Sequence, residues 1–194
     1  MNTFSWFTFG SMSLGRDPAD ITNDLAVARR ALEAGVWFHS SPTYNQGFTF
    51  MVLRQAFDED RTRVPRMVIK VRDASVPLMR FEVEDSCRRL GLDGIDVAQL
   101  VSMDPALALR TLGGGPSDER SRAKSTALAE LIAAAGCRDA TDFNLRLAAS
   151  EPAIRTTIGG TASLAHLEDY LKAADNPAPL PAGIMQRVER LQVG

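Results

Sequence analysis

The sequence predicts an α/β fold built on parallel strands, and three observations carry that prediction. Short apolar runs alternate with stretches of helical periodicity, in units of about 30 residues, the length of one strand-plus-helix step. Glycine, proline and acidic residues punctuate the units where helices start and stop. The apolar runs, such as Val36-Trp37-Phe38 and Met67-Val68-Ile69, are continuous, as expected of buried strands.

Each element follows from its residues. Phe4 to Gly15 is apolar and aromatic, broken by Gly10, and reads as a strand that ends in a loop at Ser11-Met12-Ser13-Leu14-Gly15. Asp17 is a helix N-cap with Pro18 at the first helical position, and Ile21, Leu25, Ala28 and Leu32 follow at helical spacing up to Gly35. Val36-Trp37-Phe38 forms a strand running into the polar turn His39–Gly47, after which a helix covers 49–57. A strand at 66–71, a helix at 77–90 closed by Gly91, a strand at 95–101 and a helix opening at Asp104-Pro105 continue the rhythm. The rhythm breaks at 113–122, glycine-rich and then charged, which predicts a flexible loop. Helices at 125–135 and 140–149, a strand at 153–158, a helix at 163–174 and a last helix reaching Leu191 complete a single domain over 1–194.

Composition narrows the function classes. The chain has 194 residues, 45 % of them apolar, which is enough for a core and argues against disorder. A formal charge of −2 gives no basic field for nucleic acid. No apolar run approaches the roughly 20 residues of a membrane span, and the first residues lack the basic and apolar regions of a secretory leader. Two cysteines, Cys87 and Cys137, make neither a disulfide framework nor a thiolate metal site. The expectation is a cytoplasmic protein without metal. Arginine far outnumbers lysine, a bias of GC-rich bacterial genomes.

Several ordered segments resemble the aldo-keto reductase family. Phe9-Gly10-Ser11-Met12-Ser13-Leu14-Gly15 is similar to the family's first-strand motif, and Ala31 to Gly47 to the segment that carries its catalytic Tyr. Val68-Ile69-Lys70-Val71 resembles the strand bearing its Lys, Val83 to Asp96 its next helix and turn, and Arg155 to Thr161 with His166-Leu167-Glu168-Asp169 its last strand and helix. The resemblance covers 9–104 and 126–176 and implies a TIM-barrel-like (β/α)8 fold. A closed barrel of that kind takes about 250 residues, so three central strand–helix units are absent. The expectation is an incomplete or distorted parallel sheet of about five strands. Its edge strands, 95–101 and 153–158, are apolar, and either meet within one chain or pair with a second copy in a homodimer.

The resemblance also implies a catalytic tetrad, of which two members stand. Tyr44 occupies the general-acid position and Lys70 that of its cationic neighbour. His39 replaces the aspartate partner of the lysine, and Val101 replaces the histidine that orients the carbonyl. Deprived of its anion, a desolvated Lys70 tends toward the neutral amine, a base or nucleophile. His39 titrates near neutrality if unperturbed. Tyr44 donates to an oxyanion, and Asp104 is a further carboxylate. This set suits proton abstraction beside a carbonyl better than hydride delivery. The segments that hold nicotinamide in the family are missing. Gly159-Gly160-Thr161 before a helix is what remains of a phosphate cradle, so NADP binding is expected to be weak or absent.

Each candidate also has a plain structural explanation. Tyr44 packs in a loop, Lys70 snorkels from a strand end, His39 is a hydrogen-bonded core histidine, Asp104 is an N-cap, and the glycines form a strand-to-helix turn. Three readings follow. The first is an enzyme that has lost hydride transfer and performs cofactor-independent isomerase, dehydratase (a lyase) or cyclase chemistry on a small carbonyl compound, within bacterial specialised metabolism (biosynthesis). The second is a non-catalytic binding or scaffold relative. The third is a residual NADP(H)-dependent carbonyl reductase.

Overall fold

The computed structural model describes residues 4–72, 76–101, 119–175 and 177–193. Its chain divides into two compact units, one of Met1–Ser102 with Arg155–Leu171, the other of Met103–Ile154 with Lys172–Gly194.

The first unit is a five-stranded parallel sheet. Strands β1 (Phe7–Gly10), β2 (Trp37–Ser40), β3 (Met67–Arg72), β4 (Val97–Val101) and β5 (Thr157–Gly160) lie in the order β4-β3-β2-β1-β5. Every pairing is parallel. Helices α1 (Ile21–Glu33), α2 (Phe48–Glu59) and α3 (Val76–Leu90) return the chain from one strand to the next. Side chains alternate across a strand. One face therefore carries Phe7, Phe9, Phe38, Met67 and Ile69, all 1 % exposed or less. Phe38 meets Phe57 of α2 edge-on at 6.0 Å, and Phe7 stacks at 5.1 Å on Tyr170 of α6 (Leu164–Asp175). Each such buried side chain contributes about 1.5–3 kcal/mol. The other face carries Thr8, His39, Val68, Lys70 and Gln99, as the pairing registers require.

The second unit is helical among the described residues, with α4 (Glu119–Ala134), α5 (Ala140–Ala149) and α7 (Ala182–Val193). Its core is Leu131, Ala135, Phe143, Leu180 and Ile184. Asp139 caps α5 by accepting from the Asp142 N–H at 2.8 Å, as an aspartate N-cap does. The Arg146 guanidinium donates to the carbonyls of Ala178 and Pro179, tying the proline-rich turn to α5.

The structure moves several boundaries. The first strand is confined to Phe7–Gly10, and Ser11–Ser13 coil into a 3-10 turn closed by the Leu14 N–H donating to the Ser11 carbonyl. The charged residues 119–122, expected in a loop, begin α4; the preceding glycine-rich stretch 113–118 lies outside the described residues, as does the helix expected after Asp104. The last strand is Thr157–Gly160 rather than 153–158. Glu151 to Ile154 form a turn instead, with the Ala153 N–H held by the Glu151 carboxylate at 3.0 Å. The strand continues through Gly160 because a Cβ there would lie 2.5 Å from the Gly10 carbonyl oxygen. Only glycine lets β5 come that close to β1.

Gly160→Ala is therefore expected to destabilise the fold by about 1–3 kcal/mol through overpacking against backbone. Gly183→Ala, in open space within α7, is expected to stabilise it by up to about 1 kcal/mol. Urea melts of both variants beside the parent check the pair.

Candidate functional site

Parallel pairing brings the carboxyl ends of all five strands to one rim, where α/β sheets place their ligands. Gly10, His39, Val68 and Val97 stand level across β1 to β4, and Gly160 stands beside Gly10. Lys70 and Gln99 form the next level on the same face.

Tyr44 leaves the rim on a strained loop. Asn45 (φ 47°) and Gln46 (φ 57°) both occupy the left-handed region, followed by Gly47 at φ 93°. Such backbone costs of order 1–3 kcal/mol per residue and persists only when its surroundings enforce it. Here they do. The Asn45 amide donates to the carbonyls of Met12 (2.8 Å) and Leu14 (2.7 Å). Arg89 of α3 donates to the carbonyls of Pro42 (3.3 Å) and Gly47 (3.4 Å) while its guanidinium covers the Phe50 ring at 4.8 Å. The positive φ at residue 47 favours glycine, and a Cβ there would also displace the Arg89 guanidinium.

The sheet brings Tyr44, Lys70 and His39 together. The Lys70 ammonium lies 5.4 Å from the Tyr44 ring centroid, a cation–π distance. The His39 and Tyr44 rings are 6.4 Å apart. Among the described residues no carboxylate pairs with Lys70, which is half-buried. Asp104 lies outside the described residues, and so does the side chain of Val101. His39 is 5 % exposed, and its Nε2 bonds Gln99 Oε1 at 2.9 Å. With a carbonyl-type acceptor at that position, Nε2 carries the proton and Nδ1 keeps its lone pair. Burial lowers the pKa of His39 below its ordinary 6.5; the bond to Gln99 opposes this and the charge of Lys70 adds to it. His39 is thus neutral at pH 7. Gln99 and Asn45 escaped sequence reasoning. Gln99 sits in an otherwise apolar strand, which was the signal to read; nothing local marks Asn45, whose acceptors lie 31 and 33 residues away.

Gly159, Gly160 and Thr161 lie on the rim at β5, and their glycines answer to packing. A Cβ on residue 159 would crowd Tyr170 at 2.7 Å and Phe7 at 2.9 Å. The helix start beyond them is capped from within: Thr161 Oγ1 accepts from the Ser163 N–H at 3.0 Å, and Ser163 Oγ from the His166 N–H at 3.4 Å. Glu168 is paired with Arg30 at 2.5 Å. The Ser163 and His166 N–H groups and the Glu168 carboxylate thus have partners within the chain. Cys87 and Cys137 are half-buried with thiols pushed up by burial. Among the described residues no group of His, Cys, Asp and Glu could hold a metal, and no helix is long and apolar enough to cross a membrane.

The lowered His39 pKa makes stability depend on pH. Between the folded value and 6.5 the unfolded chain binds more protons, so stability is fully present above 6.5 and is lost as pH falls through the folded value. Urea unfolding at pH 7 and pH 5 is expected to show a smaller acid loss in His39→Gln than in the parent. An equal loss in both would remove His39 from the account.

No family model matches the chain, and no curated relative does. Solved structures do. The holo form of an aldo-keto reductase from Bacillus halodurans is similar at a TM-score of 0.67 and 17 % identity, covering 98 % of this chain and 95 % of that one. An aldo-keto reductase from Klebsiella pneumoniae, in complex with NADP and acetate, is similar at 0.68 and 17 %, covering 97 % and 91 %. The apo form of the Bacillus enzyme gives 0.64 and 19 %, covering 96 % and 91 %. The chain thus has the fold of the aldo-keto reductases, TIM-barrel-like, with a five-stranded sheet that does not close.

Proposed function

We propose that the Tyr44–Lys70–His39 rim performs acid–base chemistry on a small carbonyl compound without transferring hydride. The observation that carries this reading is the geometry of the three groups together. Lys70 stands over the Tyr44 ring without a paired carboxylate among the described residues, beside a buried neutral histidine. Such a group can polarise a carbonyl: Tyr44 O–H donates to its oxygen, and the Lys70 cation stabilises the charge that develops there. Polarisation acidifies the neighbouring C–H. His39 Nδ1, with its lone pair free by tautomer, accepts that proton and returns it to the enolate. Return at a different carbon is isomerisation; loss of a hydroxyl group from the next carbon is dehydration, the lyase outcome; attack of the enolate on a second carbonyl is cyclisation.

Two observations favour this over residual reduction. At the β5 end of the rim the Ser163 and His166 N–H groups and the Arg30 guanidinium already have partners within the chain. The described residues between β4 and β5 form helices, not the further strand ends from which a nicotinamide would be held. NADP is bound in the Klebsiella structure, so reduction is the rival to exclude.

Deuterium exchange tests the reading without knowledge of the true substrate. Small aldehydes and ketones incubated in D2O with the protein are expected to incorporate deuterium beside the carbonyl, read by NMR. NADPH should have no effect. Tyr44→Phe and Lys70→Ala should each reduce the rate at least tenfold, about 1.4 kcal/mol of barrier. Tight NADPH binding by calorimetry, with cofactor oxidation when carbonyl is added, would establish the reductase instead. Exchange no faster than without protein would leave a non-catalytic protein, and protein-promoted exchange unaltered in both variants would overturn the assignment to this rim.

A further inference from the structure

We propose that a second copy of this chain completes the sheet, with β4 of each copy pairing in parallel with β5 of the other. The argument begins with the edges. Among the described residues β4 pairs only with β3, and β5 only with β1. Each therefore presents a row of backbone N–H and C=O groups without a strand partner, the surface on which further strands add. Edge strands in monomers are usually guarded by lysine, other charge or proline. Neither strand carries a charge or a proline. β4 reads Val97-Ala98-Gln99-Leu100-Val101 and β5 reads Thr157-Ile158-Gly159-Gly160. Leu100 is 58 % exposed and Ile158 48 %.

Direction and length then select the occupant. All five strands point the same way, so β4 and β5 are opposite edges of one unidirectional sheet, five and four residues long. Each edge is the natural partner of the other, and five strands are too few to close with ordinary tilt. A copy related by a two-fold axis along the strand direction presents its β5 to β4 and its β4 to β5. Both seams then form at once, and the ring closes at ten strands with no edge left. A single extended peptide would satisfy one edge and leave the other open. Closure also completes the rim. Ile158 and Gly160 share the face of Gln99, Lys70 and His39, so the partner's β5 carries the same face on past β4.

Sedimentation equilibrium tests the assembly independently of any activity. The parent chain is expected at twice its own mass. Leu100→Lys and Ile158→Lys, each with unchanged far-UV circular dichroism, are expected as monomers, because each substitution damages both seams. Mixing the two variants is expected to restore dimers, since a mixed pair keeps one seam unaltered. Pairing of like edges makes the opposite forecast: each variant alone would stay dimeric through its intact edge, and mixing would change nothing. A parent that sediments as a monomer at every concentration overturns the proposal, as does assembly into open chains that grow with concentration. A monomeric parent overturns the proposal even where a variant fails to fold.

Discussion

Parallel pairing of β1, β2, β3 and β4 is the constraint on which the site depends. It aligns every strand's carboxyl end, so residues far apart in sequence, Gly10, His39, Lys70 and Gln99, arrive on one rim and one face. Period-two alternation then divides the labour. Phe7, Phe9, Phe38 and Ile69 anchor the sheet on its helices, and the opposite face is free to carry polar groups. A slip of one residue in any strand would exchange the faces, burying Lys70 among phenylalanines and exposing Ile69. The apolar layer therefore excludes registers shifted by one residue and keeps these polar groups on one face.

The rim is held rigid at its most strained point. Two non-glycine residues in the left-handed region directly follow Tyr44. Their cost is met by the Asn45 amide, which locks the loop to the turn after β1, and by Arg89, which reaches it from α3. The ring of Tyr44 is thereby positioned from two elements at once.

Much of this was legible in the sequence, and the rest has identifiable reasons for being hidden. Strand and helix alternation is written in local patterning, so the parallel class and most element positions could be read directly. Tyr44, Lys70 and His39 were singled out through the resemblance of their segments to aldo-keto reductase motifs. The β5 boundary was not readable: it is set by contact between Gly160 and the Gly10 carbonyl, which no local window contains. The His39–Gln99 bond joins residues 60 apart across an intervening strand. His39 was expected to titrate near neutrality. Its downward shift comes from burial, a property of the whole unit rather than of neighbouring residues.

A histidine rather than a carboxylate at position 39 has a physical logic in the light of these contacts. A carboxylate beside Lys70 would form a closed ion pair, stabilising the lysine charge and holding it toward the sheet. A neutral imidazole carries no such charge. Gln99 takes up its N–H, so the ring is fixed in one tautomer without an ionised partner. Lys70 is left to face Tyr44 across the ring. A fold that holds NADP in the Klebsiella structure presents this electrostatic set here. Function follows from such a set rather than from the architecture that displays it.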